Sequence, residues 1–588
     1  MVSTRVTPNS SQIPVNVIGS SCFARYSKIS SELTQNMMLQ ENGHPKDSEL
    51  YEKWLTNFPA YKRILNFTPQ PIPAPVAYPD QLPPGTGRGF FNSIRGDFAL
   101  AVVNSIVYRL DSNLGFVQVD TISSAFGDVY MAENLASQIC IVDGVNAWIY
   151  NYSGTGAVFT KQTLSNGLVP TYVEYHNTFF LFGNGNTTSA GSQWFAYIYD
   201  TASTITQFPA NSSLALQTKA DYALAVKRIP GRGNNVLVFG STVSEVWTQV
   251  SGLQPYVRNP SVNINYGCLS IATIGEGGDY LVWLGANEDE KPVIMVYDGN
   301  KGVPISSDGI DYLLSTIKFP GTSTAAMYRA GGHLIYQLTF YDKQDNLTLY
   351  YDFDTQRFFN LTDQAGNFHP LRQIIYFQLQ TYFVSIRNTA LYLLSSDITA
   401  IDENIPPVNA QSPYDPNLVY EVPRVRITGN IRQANSTRFR ANSLVLTLEQ
   451  GTDPNFAEIN LQPIIGNPVI TEIAFNPPSV YVLTESGQVV FTEPAYNVQY
   501  NIVAPVESIL DPALINGVIY KPRIDLSLSK TGGVTWGQKV GRTLHPLGYI
   551  QNILHWESMG VANDLCLKLE FWGTYRWVIS NAVMDVIL

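Results

Sequence analysis

The chain has 588 residues, a formal net charge of −11, and only 14% charged residues against 12% aromatic residues. This length leaves room for two or three domains with large cores. The 36 Lys and Arg residues form no cluster, which argues against a protein that grips nucleic-acid phosphate, and the polar, aromatic composition is typical of strands and turns rather than of charged helices.

Residues 1–84 are predicted to form an N-terminal extended arm that contains one short helix. The helix is expected in the stretch DSELYEKWLTNF, with Asp47 or Ser48 as its cap. The apolar side of this helix would consist of Leu50, Trp54 and Leu55. A proline-rich stretch from Pro69 to Pro84 follows, and it cannot join the interior of a sheet.

The sequence carries neither a secretory signal nor a membrane span by the usual criteria. Its opening residues lack the apolar core of a signal peptide. No run of eighteen apolar residues occurs, so we expect no segment that spans a bilayer.

From residue 85 to residue 403 one unit recurs: an apolar strand, a polar turn, and a second strand that carries an aromatic residue. These aromatic positions are Tyr108, Tyr150, Tyr199, Trp247, Tyr297, Tyr351 and Tyr392. Successive positions lie between 41 residues (Tyr351 to Tyr392) and 54 residues (Tyr297 to Tyr351) apart, which suits a propeller blade of four short strands. We therefore predict an all-β fold with a β-propeller of about seven blades over residues 85–403, and with these aromatic residues buried between blades. A pair of stacked sandwiches would give similar local signals, but the regular aromatic position favours the propeller.

A second proline-rich boundary, at residues 401–417, closes the predicted propeller. Residues 404–588 are predicted to form a C-terminal β-sandwich-like domain, in which PRVRITGN and PRIDLSLS are partner strands. Residues 452–519 are rich in Pro, Asn and Ile, and we predict that they are an insertion in this domain.

The sequence offers no recognisable catalytic, cofactor-binding or metal-binding set. The six histidines form no metal-ligand motif, and no nucleophile elbow is present. The four cysteines are far apart without a CxxC pair, so we expect neither a zinc site nor a disulfide framework. One acidic loop could bind a cation or face a DNA channel, although a solvated turn is the simpler interpretation. Its residues are Glu288, Asp289 and Glu290.

The stretch SLSKTGGVTWG matches the spacing of the Asp-box of sialidases, with threonine in place of aspartate. The matching residues are Ser529, Thr531, Gly533 and Trp536. In that motif polar side chains brace a β-hairpin, glycines supply positive φ, and the tryptophan packs beneath the turn. We predict a structural hairpin with a buried Trp536. Sialidases carry several boxes, whereas this chain has one, without its aspartate and outside the propeller, which argues against a sugar hydrolase. A glycan-binding or sialidase-like propeller, such as a receptor-binding protein, is the alternative interpretation of the chain.

After this hairpin the sequence continues with an ordered set of residues: Gly548-Tyr549, Trp556, Met559-Gly560, Asn563-Asp564 and a final NAVMDV strand. This order resembles the C-terminal signature of the packaged-DNA stabilisation proteins of short-tailed phages, also called tail nozzle or tail hub proteins. Two further stretches resemble the same family: Asn36-Met37-Met38-Leu39, and NVLVFGSTVSEVWTQVSG at 235–252. The sequence departs from the family at LHWESMG, where arginines are common, and in the insertion at 452–519.

The resemblance implies a structural protein of the phage tail in the virion, without enzyme activity or cofactor, that is assembled in the host cytoplasm. Six copies would form a ring below the portal and its adaptor, in contact with tail fibre or tailspike proteins and with a tail needle or plug. The ring would retain packaged DNA and provide the channel for its ejection. Double-stranded DNA would pass without sequence-specific binding, and the acidic balance agrees because like charge keeps phosphate from sticking to a channel wall.

Overall fold

The computed structural model of the chain describes residues 10–23, 32–42, 52–67, 86–154, 156–164, 167–198, 213–252, 254–289, 291–406, 415, 418–433, 437–450, 481–483, 488–491, 499–501, 522–544 and 551–587. Strands dominate these residues, and they form a propeller and a two-sheet sandwich that share strands. An eight-residue helix, α1 (Asp308–Ser315), lies between two blades, and short 3₁₀-helical turns occur at Ser189–Ser192 and Ile271–Thr273.

Five strands come before the proline-rich stretch: β1 (Ser10–Pro14), β2 (Leu33–Gln35), β3 (Met37–Asn42), β4 (Glu52–Asn57) and β5 (Ala60–Asn66). The predicted helix is therefore wrong over β4, while Asp47, Ser48 and Leu50 lie outside the described residues. Leu55 pairs with Leu39 of β3 and is fully buried in a sheet, so tertiary pairing overrides the helical spacing of the sequence.

Blades 1 to 4 each contain four antiparallel strands that follow one another in sequence. Blade 1 has β6 (Gly87–Ser93), β7 (Phe98–Val103), β8 (Ile106–Leu110) and β9 (Phe116–Thr121). Blade 2 has β10 (Tyr130–Glu133), β11 (Gln138–Val142), β12 (Ala147–Asn151) and β13 (Val158–Lys161). Blade 3 has β14 (Pro170–His176), β15 (Phe179–Asn184), β16 (Gln193–Ile198) and β17 (Ser213–Ala215). Blade 4 has β18 (Ala225–Arg228), β19 (Asn235–Phe239), β20 (Ser244–Gln249) and β21 (Tyr256–Ile264).

Blade 5 splits its first strand into two short pieces, and blade 7 takes its fourth strand from the N-terminal segment. Blade 5 has β22 (Gly267–Cys268), β23 (Gly275–Gly277), β24 (Tyr280–Ala286), β25 (Pro292–Tyr297) and β26 (Gly302–Pro304). Blade 6 has β27 (Ser323–Ala330), β28 (His333–Phe340), β29 (Leu347–Asp352) and β30 (Arg357–Leu361). Blade 7 has β31 (Leu371–Phe377), β32 (Gln380–Ser385), β33 (Ala390–Ser395) and then β5, which pairs antiparallel with β33.

The prediction of about seven blades is confirmed, with seven in the described residues. The first strands of neighbouring blades lie side by side, and β31 of blade 7 contacts β6 of blade 1, which closes the ring. The predicted aromatic positions are buried on the third strands, except Tyr199, which lies outside the described residues. They pack in apolar seams such as the one that joins Leu100 and Val102 of blade 1 to Ile139 of blade 2. Burial of apolar area in these seams stabilises the ring.

The remaining strands extend blade 7 and build the sandwich. They are β34 (Ile401–Asp402), β35 (Val419–Tyr420), β36 (Arg424–Ile427), β37 (Phe439–Gln450), β38 (Tyr481–Leu483), β39 (Gln488–Phe491), β40 (Gln499–Asn501), β41 (Arg523–Ser529), β42 (Val540–Thr543), β43 (Gln551–Ala562), β44 (Cys566–Trp572) and β45 (Trp577–Ile587). One sandwich sheet has the order β3-β4-β45-β37-β43, with β1 also paired to β45. The other continues blade 6 in the order β30-β2-β36-β44-β41-β42.

The apolar sides of these two sheets form one core. Leu444, Leu446 and Ile579 of the first sheet belong to the same cluster as Leu526 and Leu569 of the second. The predicted partner strands β36 and β41 lie in one sheet, but each pairs with β44 rather than with the other. Within the predicted insertion at 452–519, the structure describes the three short strands β38 to β40, which pair with one another. The division of the chain at residues 84 and 404 stays a prediction. Strands from residues 1–84 take part in both the propeller and the sandwich.

The strand β5 generates a prediction about ring closure. Leu65 is 2% exposed and packs with Val384 and Leu391 of blade 7 and with Tyr108 of blade 1. We expect Leu65→Ala to lower the free energy of unfolding by about 2–5 kcal/mol, since truncation leaves a cavity at this seam. The matched control Lys62→Ala, on the half-buried side of the same strand, should cost less than about 1 kcal/mol. Equal denaturation midpoints for the two variants would contradict the closure.

Candidate functional site

Ser529 and Thr531 brace a tight turn that follows β41. The buried Ser529 hydroxyl accepts hydrogen bonds from the backbone N–H of Thr531 at 3.3 Å and of Gly533 at 2.9 Å. The Thr531 hydroxyl accepts one from the Thr535 N–H at 2.9 Å. Gly532 and Gly533 have φ of 68° and 87°, which glycine adopts without a steric penalty. Thr531 thus braces the turn with a hydroxyl where the Asp-box has a carboxylate.

Trp536 is not buried, which corrects the sequence-based expectation. Its half-exposed side chain lines an open cleft of about 440 Å³, which the hairpin forms with β42 and β43. We call this space the hairpin cleft. Trp556 of β43 is 2% exposed, donates its indole N–H to the Val540 carbonyl at 2.9 Å, and packs in the same core as Leu526. Trp556 therefore occupies the core position next to the hairpin, and Trp536 is left on the open side of the cleft.

The predicted acidic loop joins β24 and β25 of blade 5. Glu288 and Asp289 are exposed, and Glu290 lies outside the described residues. Glu288 forms an ion pair with Lys219, which lies between the last strand of blade 3 and the first strand of blade 4. The Asp289 N–H donates to the Asn287 side chain at 3.1 Å, as in a polar turn. The ion pair offsets part of the acidic charge, and a lumen-facing role for this loop stays a prediction.

Side chains from several blades meet inside the ring of first strands. Arg372 of blade 7 donates to Asp128, which precedes blade 2, at 2.8 Å, and to the Thr86 hydroxyl at 3.0 Å. Tyr130 of blade 2 packs on Tyr172 of blade 3 with ring centroids 4.5 Å apart. Burial raises the pKa of Tyr172 to about 12, so this phenol stays neutral. These contacts tie blades 7, 1, 2 and 3 together near the propeller axis.

A second polar cluster joins blades 3, 4 and 5, and the sequence analysis missed it. Lys227 Nζ lies 2.6 Å from Glu174 Oε2 and 3.0 Å from Glu276 Oε2, and Arg228 Nε lies 3.1 Å from Glu276 Oε1. Burial acts to raise the pKa of Glu276, but Lys227 and Arg228 together bring it below its usual value. Two cations match two carboxylates in this cluster, and Arg228 reaches it from the surface, since its side chain is 56% exposed. The signal in the sequence is a charged residue within the otherwise apolar first strands of successive repeats.

Large buried arginines are held by the chain's own polar groups: Arg63, Arg88, Arg372, Arg424 and Arg426. Arg88, for example, donates to the carbonyls of Gly127, Asn104 and Ser124 at 2.7 Å each. Burial lowers the pKa of Arg88 to about 10, and it remains charged at neutral pH. The guanidinium of Arg88 is therefore held by backbone carbonyls of the chain itself.

His333, Asp352 and Asp354 are close enough for their side-chain ligand atoms to share a cation. The fully buried Asp352 carboxylate already accepts hydrogen bonds from His333 Nδ1 at 2.7 Å and from the Thr355 hydroxyl at 2.8 Å. Asp354 accepts one from the Leu334 N–H at 2.8 Å. The hydrogen bond to Asp352 raises the pKa of His333. These groups brace the turns of blade 6 with one another.

The ring of blades over the middle of the chain agrees with a comparison of the sequence with protein families. The model of the family described as bacteriophage P22 Gp10, beta-propeller, matches residues 80–399, which is more than half of the chain. The chain belongs to this family. The resemblance to the phage DNA-stabilisation proteins is thereby confirmed, and the protein has a structural role in the phage tail linked to DNA stabilisation.

Two solved structures are similar to the chain at a low level. Virginiamycin B lyase from Staphylococcus aureus is 10% identical over 61% of this chain and 99% of that chain, with a TM-score of 0.35. The N-terminal domain of Nup159 is 8% identical over 57% and 95%, also with a TM-score of 0.35. No curated protein sequence matches the chain, and among the described residues no helix has the length and apolar content needed to cross a membrane.

The two tryptophans of the hairpin cleft generate a prediction. We expect Trp556→Ala to cost about 3–5 kcal/mol of unfolding free energy, because it empties a core position. Trp536→Ala is the matched control, and it should cost clearly less because its side chain is half-exposed. Chemical denaturation of both variants measures the difference. A larger loss for Trp536→Ala would mean that the hairpin packs on Trp536 after all.

Proposed function

We propose that six copies of this chain form a ring in the phage tail, below the portal and its adaptor, which retains packaged DNA and later provides the channel for its ejection. The family match over residues 80–399 is the observation that carries this proposal. The family model establishes the structural role, and the ring, the channel and the neighbours are the steps that we add.

The interior of the propeller supports a channel between copies rather than within one copy. A single arginine side chain, that of Arg372, reaches from blade 7 past blade 1 to Asp128 at the start of blade 2. The pairs around it link first strands of neighbouring blades. Arg372 is 7% exposed and Tyr172 is 6% exposed, so the inner side chains of the propeller pack on one another. We therefore place the duplex in a lumen enclosed by several copies.

The charge of the chain supports passage without sticking. The formal net charge is −11, and phosphate contacts are what create affinity for DNA. A ring with an acidic wall would therefore guide the duplex by repulsion, without sequence-specific binding. The exposed carboxylates of Glu288 and Asp289 are our candidates for such a wall.

The proposed neighbours follow from the same place in the virion. We propose contacts with the adaptor above the ring, with tail fibre or tailspike proteins at its side, and with a needle or plug that closes its far end. Assembly would take place in the host cytoplasm. The protein would act by closing a tube, without a cofactor or a chemical step.

The first prediction from this proposal concerns the virion. Phage that carry an early stop codon in place of this protein should fill their heads and then lose DNA, because nothing seals the vertex. Nuclease-protected DNA per particle, followed over hours, measures the loss. Supply of the intact chain in trans is the control and should restore retention. Stable, full particles without the protein would overturn the proposal.

The second prediction concerns the wall of the channel. Glu288→Lys with Asp289→Lys should slow DNA ejection, since the new cations would bind phosphate where repulsion existed, and the slowing should fade as salt is raised. The matched control, Glu288→Gln with Asp289→Asn, removes the same charges without adding cations and should eject at nearly the normal rate. Time-resolved ejection from purified particles measures both. An unchanged ejection rate in the lysine variant would mean that this loop does not face the lumen.

A further inference from the structure

The inner turns of three neighbouring blades carry large apolar side chains that point into solvent. An inner turn joins the first and second strands of a blade. The exposed residues in these turns are Ile94 in blade 1 (89% exposed), Leu135 in blade 2 (68%) and Leu379 in blade 7 (82%), and Tyr376 (60%) lies next to the turn of blade 7, near the end of β31. Blade 7 and blade 2 flank blade 1 in the closed ring, so these four residues form one surface, which we call the turn patch.

Hydrogen bonds hold the three turns together. The Gln378 side chain of blade 7 donates to Asp97 of blade 1 at 3.0 Å, and the Asn92 side chain donates to the Tyr376 carbonyl at 2.8 Å. Ser93 of blade 1 donates to Glu133 of blade 2 at 2.6 Å. The patch is therefore built on a connected framework rather than on independent loops.

Leu379 adopts a positive φ, a backbone conformation that is unfavourable for leucine. Gln378 and Leu379 form a two-residue turn between paired residues, with φ of 48° and 60°. Such a turn favours Gly or Asn at both positions. Blade 6 has Gly331 and Gly332 at its equivalent turn, with φ of 57° and 94°. Leucine at this position gains nothing inside the fold, because its side chain is exposed, which points to a role outside it.

The apolar surface continues toward the outer edge of the same blades. Strands alternate in direction, so inner turns and outer turns, which join the third and fourth strands, lie on one face. Val117 is the second residue of the fourth strand of blade 1, and Val158 is the first residue of the fourth strand of blade 2. They follow the outer turns and are 63% and 56% exposed. A stable interface buries about 800 Å² on each partner, which needs this extension beyond the four turn residues.

The same chain also offers a concave apolar surface, the hairpin cleft of about 440 Å³. Its apolar lining is contributed by Leu526, Leu528, Trp536, Val540, Trp556 and Met559. It opens at β42 and β43, which end the two sandwich sheets, and among the described residues no strand pairs with their outer edges. Open edges of this kind are normally covered.

Each of the two surfaces carries exposed charges of both signs. The turn patch carries Arg95 and Asp97 on its exposed inner turn. The rim of the hairpin cleft carries Lys530, Arg542 and Glu557, all exposed. Each surface can therefore offer a partner for the charges of the other, whereas the net charge of −11 disfavours non-specific association of copies.

We propose that the turn patch of one copy docks into the hairpin cleft of a second copy of this chain. The contact is heterologous, because a convex surface on one copy meets a concave surface on the next, and repetition of such a contact closes a ring when the rotation allows it. This inference rests on the proposed function, because the ring supplies a second copy as the occupant of the hairpin cleft. It adds which two surfaces of neighbouring copies would meet.

The first experiment measures assembly of the purified full chain. Sedimentation velocity over a range of concentrations should show that Ile94→Ser with Leu379→Asn raises the concentration of half-assembly at least about tenfold. The melting temperature should stay unchanged or rise, since asparagine tolerates positive φ. The matched control is Val250→Ser with Val257→Ser, two exposed valines at the outer turn of blade 4, which should assemble normally. Normal assembly of the patch variant, or a wild-type chain that stays monomeric while it binds another virion protein, overturns the proposal.

The second experiment tests which surfaces meet. In a Cys22→Ser background, since Cys22 is exposed, Leu135→Cys and Val540→Cys are prepared as separate proteins. A short bismaleimide should cross-link dimers in the mixture and not in either protein alone. Dimers of Leu135→Cys alone would indicate a symmetric contact and overturn the docking into the cleft. Particles with the patch variant that assemble normally, while particles without the protein lose DNA, would reject this inference and leave the proposed function standing.

Discussion

The three-residue strand β2 (Leu33–Gln35) is the constraint on which the arrangement of the two parts depends. It pairs in parallel with β30 of blade 6 on one side and antiparallel with β36 of the sandwich on the other. Blade 6 and one sandwich sheet are thereby a single sheet. A hinge between propeller and sandwich would break its backbone hydrogen bonds, so the shared sheet makes the two parts one body.

Polar side chains fix this strand where apolar packing alone would leave its register open. Asn36 has φ of 56° and turns the chain from one sandwich sheet into the other, while its amide donates to Thr362 at 2.8 Å and to the Pro423 carbonyl at 2.9 Å. Arg426, fully buried, donates to the carbonyls of Val17 at 2.8 Å and Ser20 at 3.0 Å. Burial lowers the pKa of Arg426 to about 10, yet it keeps its charge at neutral pH because these carbonyls replace the lost water.

The propeller follows the same logic with different groups. Apolar seams between blades supply most of the stabilisation, and they are not directional. The ion cluster of Lys227 with Glu174 and Glu276, and the bridge from Arg372 to Asp128, join defined positions on the first strands of successive blades. We hypothesise that these pairs contribute less to the stability of the ring than to the selection of one arrangement of its blades. A closed ring joined to a sandwich without a hinge suits a subunit whose proposed work is to hold a channel in place.

The sequence by itself determined the propeller, because each blade repeats one local pattern: apolar strands, polar turns, and an aromatic residue on the third strand. It also determined the hairpin of Ser529 and Thr531, since these side chains bond their own backbone within a few residues. Only the tertiary structure decided what depends on distant partners. Glu52–Asn57 forms a strand because β3 and β45 pair with it. Strand β5, which was predicted to belong to an extended arm, pairs with β33 and completes blade 7. Trp536 stayed half-exposed because Trp556, on a strand of the other sheet, fills the core beside it. Local sequence patterns specify local hydrogen bonds and the alternation of buried and exposed residues along a strand. Which side chain fills a space between two strands depends on which strands the fold brings together.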